Sequence, residues 1–273
     1  MSADLEGLDT MRGPTKGGLR SLAPIAPQLF NRRATQIFDP PNGQDVAFAC
    51  LDHEGQYFYC KDDRRTRPVR ATELIFTRLA DRLGIRTAPF AVIEHDGETY
   101  FASRHEHSPS GLFAVRDFLA TPRVNEIGQP ERFPGEYLAQ LLAFDLFIGN
   151  PDRGSHNFLL VKDGSFQRLC AIDFADADLM GLTTERFPVA SSRTVVVGKL
   201  HRAIHGAYAS SGVEMLDRIL ALPADAFAAF VNEVPDEWLS ENQRGELKNA
   251  WGSPVFKARL ALLRSGIIDG GLV

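Results

Sequence analysis

The residues best suited to chemistry lie between positions 148 and 174, where the sequence reads IGNPDRGSHNFLLVKDGSFQRLCAIDF. A polar loop contains Asp152 and, five positions later, Asn157, while Asp173 stands at the end of a strand-like run. One carboxylate can orient an attacking hydroxyl group and accept its proton. An amide oxygen and a second carboxylate are ligands that suit Mg²⁺ on nucleotide phosphates. The trio therefore favours phosphoryl transfer.

A helix and a hairpin are expected to position this loop. Residues 135–149, GEYLAQLLAFDLFIG, are apolar on nearly every side, which is typical of a buried helix. The runs NFLLVKDG and SFQRLCAIDF then predict a short hairpin. Because a hairpin returns its second strand to the start of its first, Asp152, Asn157 and Asp173 can converge at one end of it.

The polar residues of this region also have ordinary structural explanations. An Asp-to-Asn spacing of this kind arises by chance in polar loops, where both residues cap turns. Arg153 and His156 either contact phosphate or stabilise the loop, and the sequence does not choose between them. Asp176 and Asp178 either join Asp173 in an acidic metal cluster or are solvated loop carboxylates, and we favour the second interpretation.

The N-terminal half contains a second candidate pair. Lys61 ends the strand-like run YFYCK, and Glu73 lies in a helix predicted over residues 68–84. Taken singly, they are an edge lysine and a surface glutamate. Taken together, they match a lysine that contacts nucleotide phosphates and a helix glutamate that holds it. The turn from Asp39 to Asp45 lies before the pair of strand-like runs VAFACL and QYFYCK, and it contains Asn42, Gly43 and Gln44. It could offer backbone N–H groups to phosphate or be a plain hairpin turn.

Composition narrows the class of protein. The chain has 273 residues, of which 44% are hydrophobic, and a net charge of -5 from 30 basic and 35 acidic residues. The hydrophobic content excludes a wholly disordered or fibrous chain, and the negative net charge argues against direct nucleic-acid binding.

No stretch reaches the roughly 18 to 20 apolar residues of a membrane span, so we expect no membrane insertion. The acidic N-terminus does not resemble a signal peptide, and a cytoplasmic location is expected. Cys50, Cys60 and Cys170 are interpreted as small core residues.

The order of these elements resembles the HipA-like atypical kinases, in their short single-chain form, and more distantly the phosphatidylinositol kinases. The resemblance rests on the Lys61 strand, the Glu73 helix, IGNPDRGSHN and IDF. It covers about residues 35 to 240 and includes ELIFTRLADRLGIRTAP and the motif VNEVPDEWL at Val231–Leu239. It implies an α+β, two-lobed protein-kinase-like fold with a small β-rich N-lobe and a mainly helical C-lobe.

The predicted division of the chain follows the same pattern. Residues 1–30, rich in Gly, Pro and Ser, are expected to form a flexible N-terminal segment. Residues 31–104 are expected to form the N-lobe and residues 105–273 the C-lobe, with the nucleotide bound between them.

The resemblance also implies a role for each candidate residue. Asp152 would be the catalytic base, Asn157 and Asp173 the Mg²⁺ ligands, Lys61 the phosphate-binding lysine and Glu73 the residue that orients it. ATP and Mg²⁺ are thus the implied cofactors. Two departures weaken the match, because the phosphate-covering turn has a single glycine and Ala175 stands where the metal-binding motif of protein kinases has glycine.

Several functions remain open at this stage. We favour an ATP-dependent kinase that phosphorylates a hydroxyl group, with a protein Ser/Thr acceptor. The alternatives are a nucleotide-binding pseudokinase that acts through partner contacts, a lipid head-group kinase, and a purely structural interaction protein. The expected partners are ATP and a protein substrate; an antitoxin or another protein partner is left open.

Overall fold

The computed structural model describes residues 31–39, 46–63, 67–105, 111–163, 166–183 and 192–271. Within these ranges, two groups of helices and strands follow each other along the chain. The first group contains β1 (Arg32–Phe38), β2 (Val46–Asp52), β3 (Tyr57–Lys61), α1 (Val69–Arg82), β4 (Phe90–His95) and β5 (Glu98–Arg104). The second group begins with α2 (Leu112–Ala120), α3 (Gly135–Phe147) and the hairpin β6 (Phe158–Asp163) and β7 (Phe166–Ala171). It continues through α4 (Arg193–His205), α5 (Ala209–Ala221), α6 (Ala224–Glu233), α7 (Glu241–Ala250) and α8 (Pro254–Ile268).

The five strands of the first group form one sheet in the order β1-β2-β3-β5-β4. The pairings of β1 with β2, β2 with β3, β3 with β5 and β4 with β5 are antiparallel. The structure adds a short parallel pairing of β1 with β4, at Arg32 opposite Ile93 and Arg33 opposite Glu94, which closes the sheet into a small barrel. A pairing this short has no pattern of its own in the sequence. The register places Lys61, at the end of β3, opposite Phe101 of β5.

Helix α1 is enclosed between the sheet and the helices of the second group. It begins after Pro68 and ends before Gly84, whose φ of 86° is easily adopted only by glycine. Every residue from Thr72 to Ala80 is buried. The apolar ones belong to a single core that also includes residues of α3, α5 and α8. The position of Glu73 is therefore set by packing on several sides.

Helix α2 is the main element that the sequence analysis did not assign. Its buried side consists of Val115, Phe118 and Leu119, whereas Leu112 and Phe113 are exposed, Phe113 by 85%. Apolar residues on both faces obscure the helical period, which explains the omission. All three cysteines are buried and free, as expected for core residues. None of the helices within the described ranges is long and apolar enough to cross a membrane.

Candidate active site

The loop between α3 and β6 and the end of β7 lie together. Phe158 pairs with Ala171 across the hairpin, and the Ile172 amide donates to the Asn157 carbonyl at 3.0 Å. Asn157 and Asp173 therefore flank the same end of the hairpin. The Asn157 side-chain amide donates to the Asp152 carbonyl at 2.8 Å, which folds the loop back towards β6. The structure thus brings together the three residues on which the sequence analysis depended.

Arg153 holds this arrangement from inside. Its side chain is buried, and its guanidinium donates to both carboxylate oxygens of Asp145, at 2.8 and 3.0 Å. It also donates to the carbonyls of Asn157, at 3.0 Å, and Ile172. One cation therefore ties α3 to both strands of the hairpin at its open end, before β6 and after β7. Of the two roles left open for Arg153, the structure selects loop stabilisation.

Two further polar residues brace the loop and were not identified from the sequence. Asn150 donates to the Asp145 carboxylate at 2.8 Å and accepts from the Asp152 amide at 3.2 Å. Thr194, in the first turn of α4, donates to the Asn150 carbonyl at 2.7 Å and accepts from the Arg153 amide at 2.9 Å. The sequence did contain one indication of this network, namely Asp145. A carboxylate in the middle of an apolar, buried helix requires a buried partner.

Lys61 connects the sheet to this loop region. Its ammonium group pairs with Glu73 of α1 and, at 2.8 Å, with Asp173 after β7. Burial alone would lower the pKa of Lys61, but the two carboxylates raise it above the ordinary lysine value. Burial would likewise raise the pKa of Asp173, but attraction to Lys61 outweighs it and lowers this pKa to about 2. Lys61 and Asp173 thus form a charged pair, whereas burial raises the pKa of Glu73 to about 7.

Asp173 adopts an unusual backbone conformation. Its φ is 64°, in the left-handed region that few residues other than glycine occupy. The following Phe174 is 1% exposed and packs edge-on against Phe144 at 5.7 Å. The Arg153 guanidinium lies 4.9 Å from the Phe174 ring centroid. Strain of this kind persists where surrounding contacts impose it, and it directs the Asp173 carboxylate towards Lys61.

Asp152 is surrounded by basic groups at the edge of the site. Arg193, the first residue of α4, lies 2.7 Å from one carboxylate oxygen of Asp152, and His156 lies 3.5 Å from the other. The Asp152 side chain is 35% exposed, so a solute can reach it. His156 therefore lies beside a carboxylate, and Arg193 is a site residue that the sequence analysis missed.

Asn157 carries the feature that points to a cation. Asn157 is 2% exposed, yet its Oδ1 atom has no hydrogen-bond partner among the residues that the structure describes. An orphaned buried acceptor is costly unless a cation or donor completes it. Together with the Asp173 carboxylate it offers the hard oxygen ligands that Mg²⁺ prefers. Among the described residues, no group of three or more His, Cys, Asp or Glu side chains could hold a metal. A Mg²⁺ ion here would therefore draw other ligands from phosphate or water.

A cleft of about 570 Å³, partly open to solvent, extends from Lys61 and Asp173 between the sheet and β7. Its walls are largely apolar; they include Val46, Ala88, Phe101 and Ile172. Thr87 also lines it, and the buried Thr87 Oγ1 has no partner in the described part of the chain. The volume lies within the range of small-molecule sites.

The remaining candidates lie apart from this group or beyond the described structure. Asp176 pairs with Arg67 at 2.6 Å, and Asp178 accepts from the Gly181 amide at 2.9 Å. Both carboxylates therefore have structural partners, and the Asp176 side chain is still 37% exposed to solvent. The predicted phosphate-covering turn lies outside the described residues, as does the N-terminal segment 1–30; the turn comprises Asn42, Gly43 and Gln44.

Comparisons with known proteins agree with this arrangement. Residues 37–264 match the HipA-like kinase family, whereas no curated protein matches the chain. Among solved structures, the chain is similar to the Helicobacter pylori proinflammatory kinase CtkA, with a TM-score of 0.55 and 9% identity over 86% of this chain and 96% of that one. It also matches HipA of Shewanella oneidensis MR-1, solved with HipB and operator DNA, with a TM-score of 0.46 and 14% identity over 85% of this chain and 63% of that one.

The similarity to CtkA confirms the predicted two-lobed, kinase-like α+β fold. The family match extends over most of the chain, from β1 to α8, and includes every site residue described above. On these grounds, the chain belongs to the HipA-like kinase family.

Proposed function

We propose that this protein is an ATP-dependent kinase that transfers the γ-phosphoryl group of Mg-ATP to a hydroxyl group, with a protein Ser/Thr acceptor. The observation that carries the proposal is the contact of Lys61 with both Glu73 and Asp173. This contact joins the sheet, α1 and the hairpin beside Asn157, at the mouth of a cleft of suitable size. Membership of the HipA-like kinase family supports the same function.

In this proposal, Lys61 binds the nucleotide phosphates. An ammonium group makes charge-assisted hydrogen bonds to phosphate oxygens. Glu73 and Asp173 orient it before the nucleotide arrives, so little reorganisation is needed on binding. The apolar walls of the cleft, including Val46 and Phe101, would enclose the nucleobase of ATP. Thr87 Oγ1 offers the nucleobase a polar contact, because within the described ranges this oxygen has no hydrogen-bond partner.

Asn157 Oδ1 and the Asp173 carboxylate would hold Mg²⁺, because both offer hard oxygen ligands and the buried Asn157 oxygen requires a partner. When bound, the ion would supply positive charge that neutralises the phosphate oxygens. Asp152 would orient the acceptor hydroxyl and accept its proton late in transfer, because phosphoryl transfer through a loose transition state needs mainly positioning. Arg193 and His156 hold the Asp152 carboxylate in place for this role.

The substitution Asp152→Asn tests the proposal. It keeps the size of the side chain but removes the negative charge and the capacity to accept a proton. We expect Mg-ATP to bind within a few fold of wild type, while phosphoryl transfer to acceptor falls by roughly 10²-fold or more. Transfer would be measured against a panel of protein and lipid acceptors, which also decides the acceptor class.

The matched control is Asp217→Asn, which alters an exposed carboxylate paired with Arg264 elsewhere in the helical lobe. This variant should transfer phosphate like wild type. A capping role for Asp152 predicts a different result, namely a stability loss of about 0.5–2 kcal/mol with activity retained in the folded fraction. A folded Asp152→Asn protein with undiminished transfer would therefore refute the catalytic role.

A further inference from the structure

The motif at Val231–Leu239 has no part in the site described above, yet it contacts the helix that carries Glu73. Glu233, the last residue of α6, pairs with Arg78 of α1 at 2.6 Å. The Arg78 side chain is 8% exposed, so water screens this ion pair only weakly. Arg78 lies five residues after Glu73, roughly 140° further around the helix. The ion pair therefore holds α1 on a side that Lys61 does not contact.

Trp238 makes the second contact, near the start of α1. Its indole N–H donates to Thr99 Oγ1 of β5 at 2.8 Å, and its side chain is buried. The Arg70 guanidinium lies 5.3 Å from the Trp238 ring centroid and donates to the Thr99 carbonyl at 2.7 Å. Trp238, Thr99 and Arg70 thus form one group that joins the helical lobe to β5 and α1.

The motif itself is held rigidly. Arg244 of α7 is 5% exposed and donates to four main-chain carbonyls of the motif, namely those of Val231, Val234, Pro235 and Leu239, at 2.7 to 3.3 Å. A buried guanidinium with this many carbonyl acceptors fixes the path of the backbone. The side chains of Glu233 and Trp238 therefore project from a fixed support onto both ends of α1.

We propose that Glu233 and Trp238 are positioning residues, which clamp α1 so that Glu73 stays on Lys61 without the help of a partner or a modification. This inference deepens the proposed function and rests on it for its catalytic meaning. Glu73 lies between the two clamped positions, Arg70 and Arg78. Displacement of α1 away from Lys61 would therefore break the ion pair at one end, or the contacts of Arg70 with the Trp238 ring and the Thr99 carbonyl at the other.

The experiment compares two buried tryptophans of the helical lobe. Trp238→Phe removes the hydrogen bond to Thr99 and keeps an aromatic ring. Trp251→Phe is the control, because Trp251 is 6% exposed and also donates one hydrogen bond, to the Leu222 carbonyl at 3.0 Å, but its ring contacts are with Phe227, Phe147 and Phe256 of the helical lobe. Hydrogen–deuterium exchange of the α1 amides reports the position of the helix without any need for phosphotransfer.

The bond to Thr99 holds the Trp238 ring against Arg70 of α1. We therefore expect exchange in α1 to be about fivefold faster in Trp238→Phe, the factor that corresponds to one lost hydrogen bond. Exchange in α1 should be unchanged in Trp251→Phe. Thr99→Val removes the acceptor of the same bond and also the bond that the Thr99 hydroxyl donates to Glu237, so its effect should be at least as large; it also serves if Trp238→Phe does not fold. The double variant should exchange no faster than Thr99→Val alone, because that variant has already lost the contact that Trp238→Phe removes.

Steady-state kinetics provide the second readout. In Trp238→Phe the KM for ATP should rise while the KM for the acceptor stays constant, because Lys61 is proposed to contact ATP alone. An α1 exchange rate equal to that of the Trp251→Phe control would overturn the proposal, as would an increase spread evenly over the whole chain. Failure of the wild-type protein to transfer phosphate would overturn the proposed function instead, and the exchange measurement would still decide whether the clamp exists.

Discussion

Replacement of Arg153 by alanine tests whether a buried cation holds the loop that contains Asp152 and Asn157. The Arg153 side chain is 4% exposed and that of its partner Asp145 is 0% exposed. After the substitution, the Asp145 carboxylate would keep one side-chain donor, the Asn150 amide. The carbonyls of Asn157 and Ile172 would each lose the donor that Arg153 provides. Removing one partner of a buried ion pair costs about 3–5 kcal/mol, because the other charge stays buried without compensation.

A second arginine of the same loop region supplies the contrast. Arg193 pairs with Asp152, but its side chain is 55% exposed and that of Asp152 is 35% exposed. Exposed ion pairs contribute about 0–1 kcal/mol to stability. Arg193→Ala should therefore leave the free energy of unfolding nearly unchanged while it reduces phosphotransfer, since Arg193 orients the proposed base.

Urea-induced unfolding of both variants, followed by circular dichroism, measures the difference. The m-value should stay constant, so that the midpoint reports stability directly. Arg153→Lys provides an intermediate case if the alanine variant is too unstable, because lysine keeps the charge but lacks the two-pronged geometry that fits a carboxylate. A loss below about 1 kcal/mol in Arg153→Ala, or one no larger than in Arg193→Ala, contradicts the structural role assigned here.

Three further outcomes follow from the site and its surroundings. Lys61→Ala should weaken Mg-ATP binding in calorimetry, whereas the exposed Lys257→Ala should not; equal affinities would remove Lys61 from the phosphate site. Mg-ATP at 100 times its Kd should stabilise the wild-type protein by about 2.7 kcal/mol, and this gain should disappear with a chelator or in Asp173→Ala. Burial, together with the nearby His205, lowers the pKa of His201 to about 4. The unfolded chain then binds the extra proton between about pH 6.5 and pH 4, so stability should fall as the pH drops through this window, and His201→Phe should flatten the fall.

Local patterns in the sequence predicted much of the fold. The helical spacing from Leu74 to Leu83, with Pro68 before it and Gly84 after it, predicted α1 to within two residues at each end. The runs NFLLVKDG and SFQRLCAIDF predicted the hairpin of β6 and β7 in the same way. These features depend on residues that are neighbours in the chain, so their period and turn chemistry are visible without a structure. The exposed Phe113 conceals the period of α2, which is why that helix was missed.

The spacing of the chemical groups could also be recognised from the sequence, since Asp152, Asn157 and Asp173 belong to one helix–loop–hairpin unit. What each neighbouring group does was decided by tertiary structure. Arg153 had two equal interpretations until its burial against Asp145 selected one. Arg193 reaches Asp152 from the start of α4, 41 positions further along the chain.

The longest-range contacts had no local sign at all. Glu233 and Arg78 are 155 positions apart, and no periodicity or turn signal relates them. Their pairing exists because α6 packs against α1 when the common core forms. A charged side chain in a helix pattern does not reveal whether water or another charge will face it. Burial supplies that information, because removal from water makes a partner obligatory, and burial is a property of the folded chain.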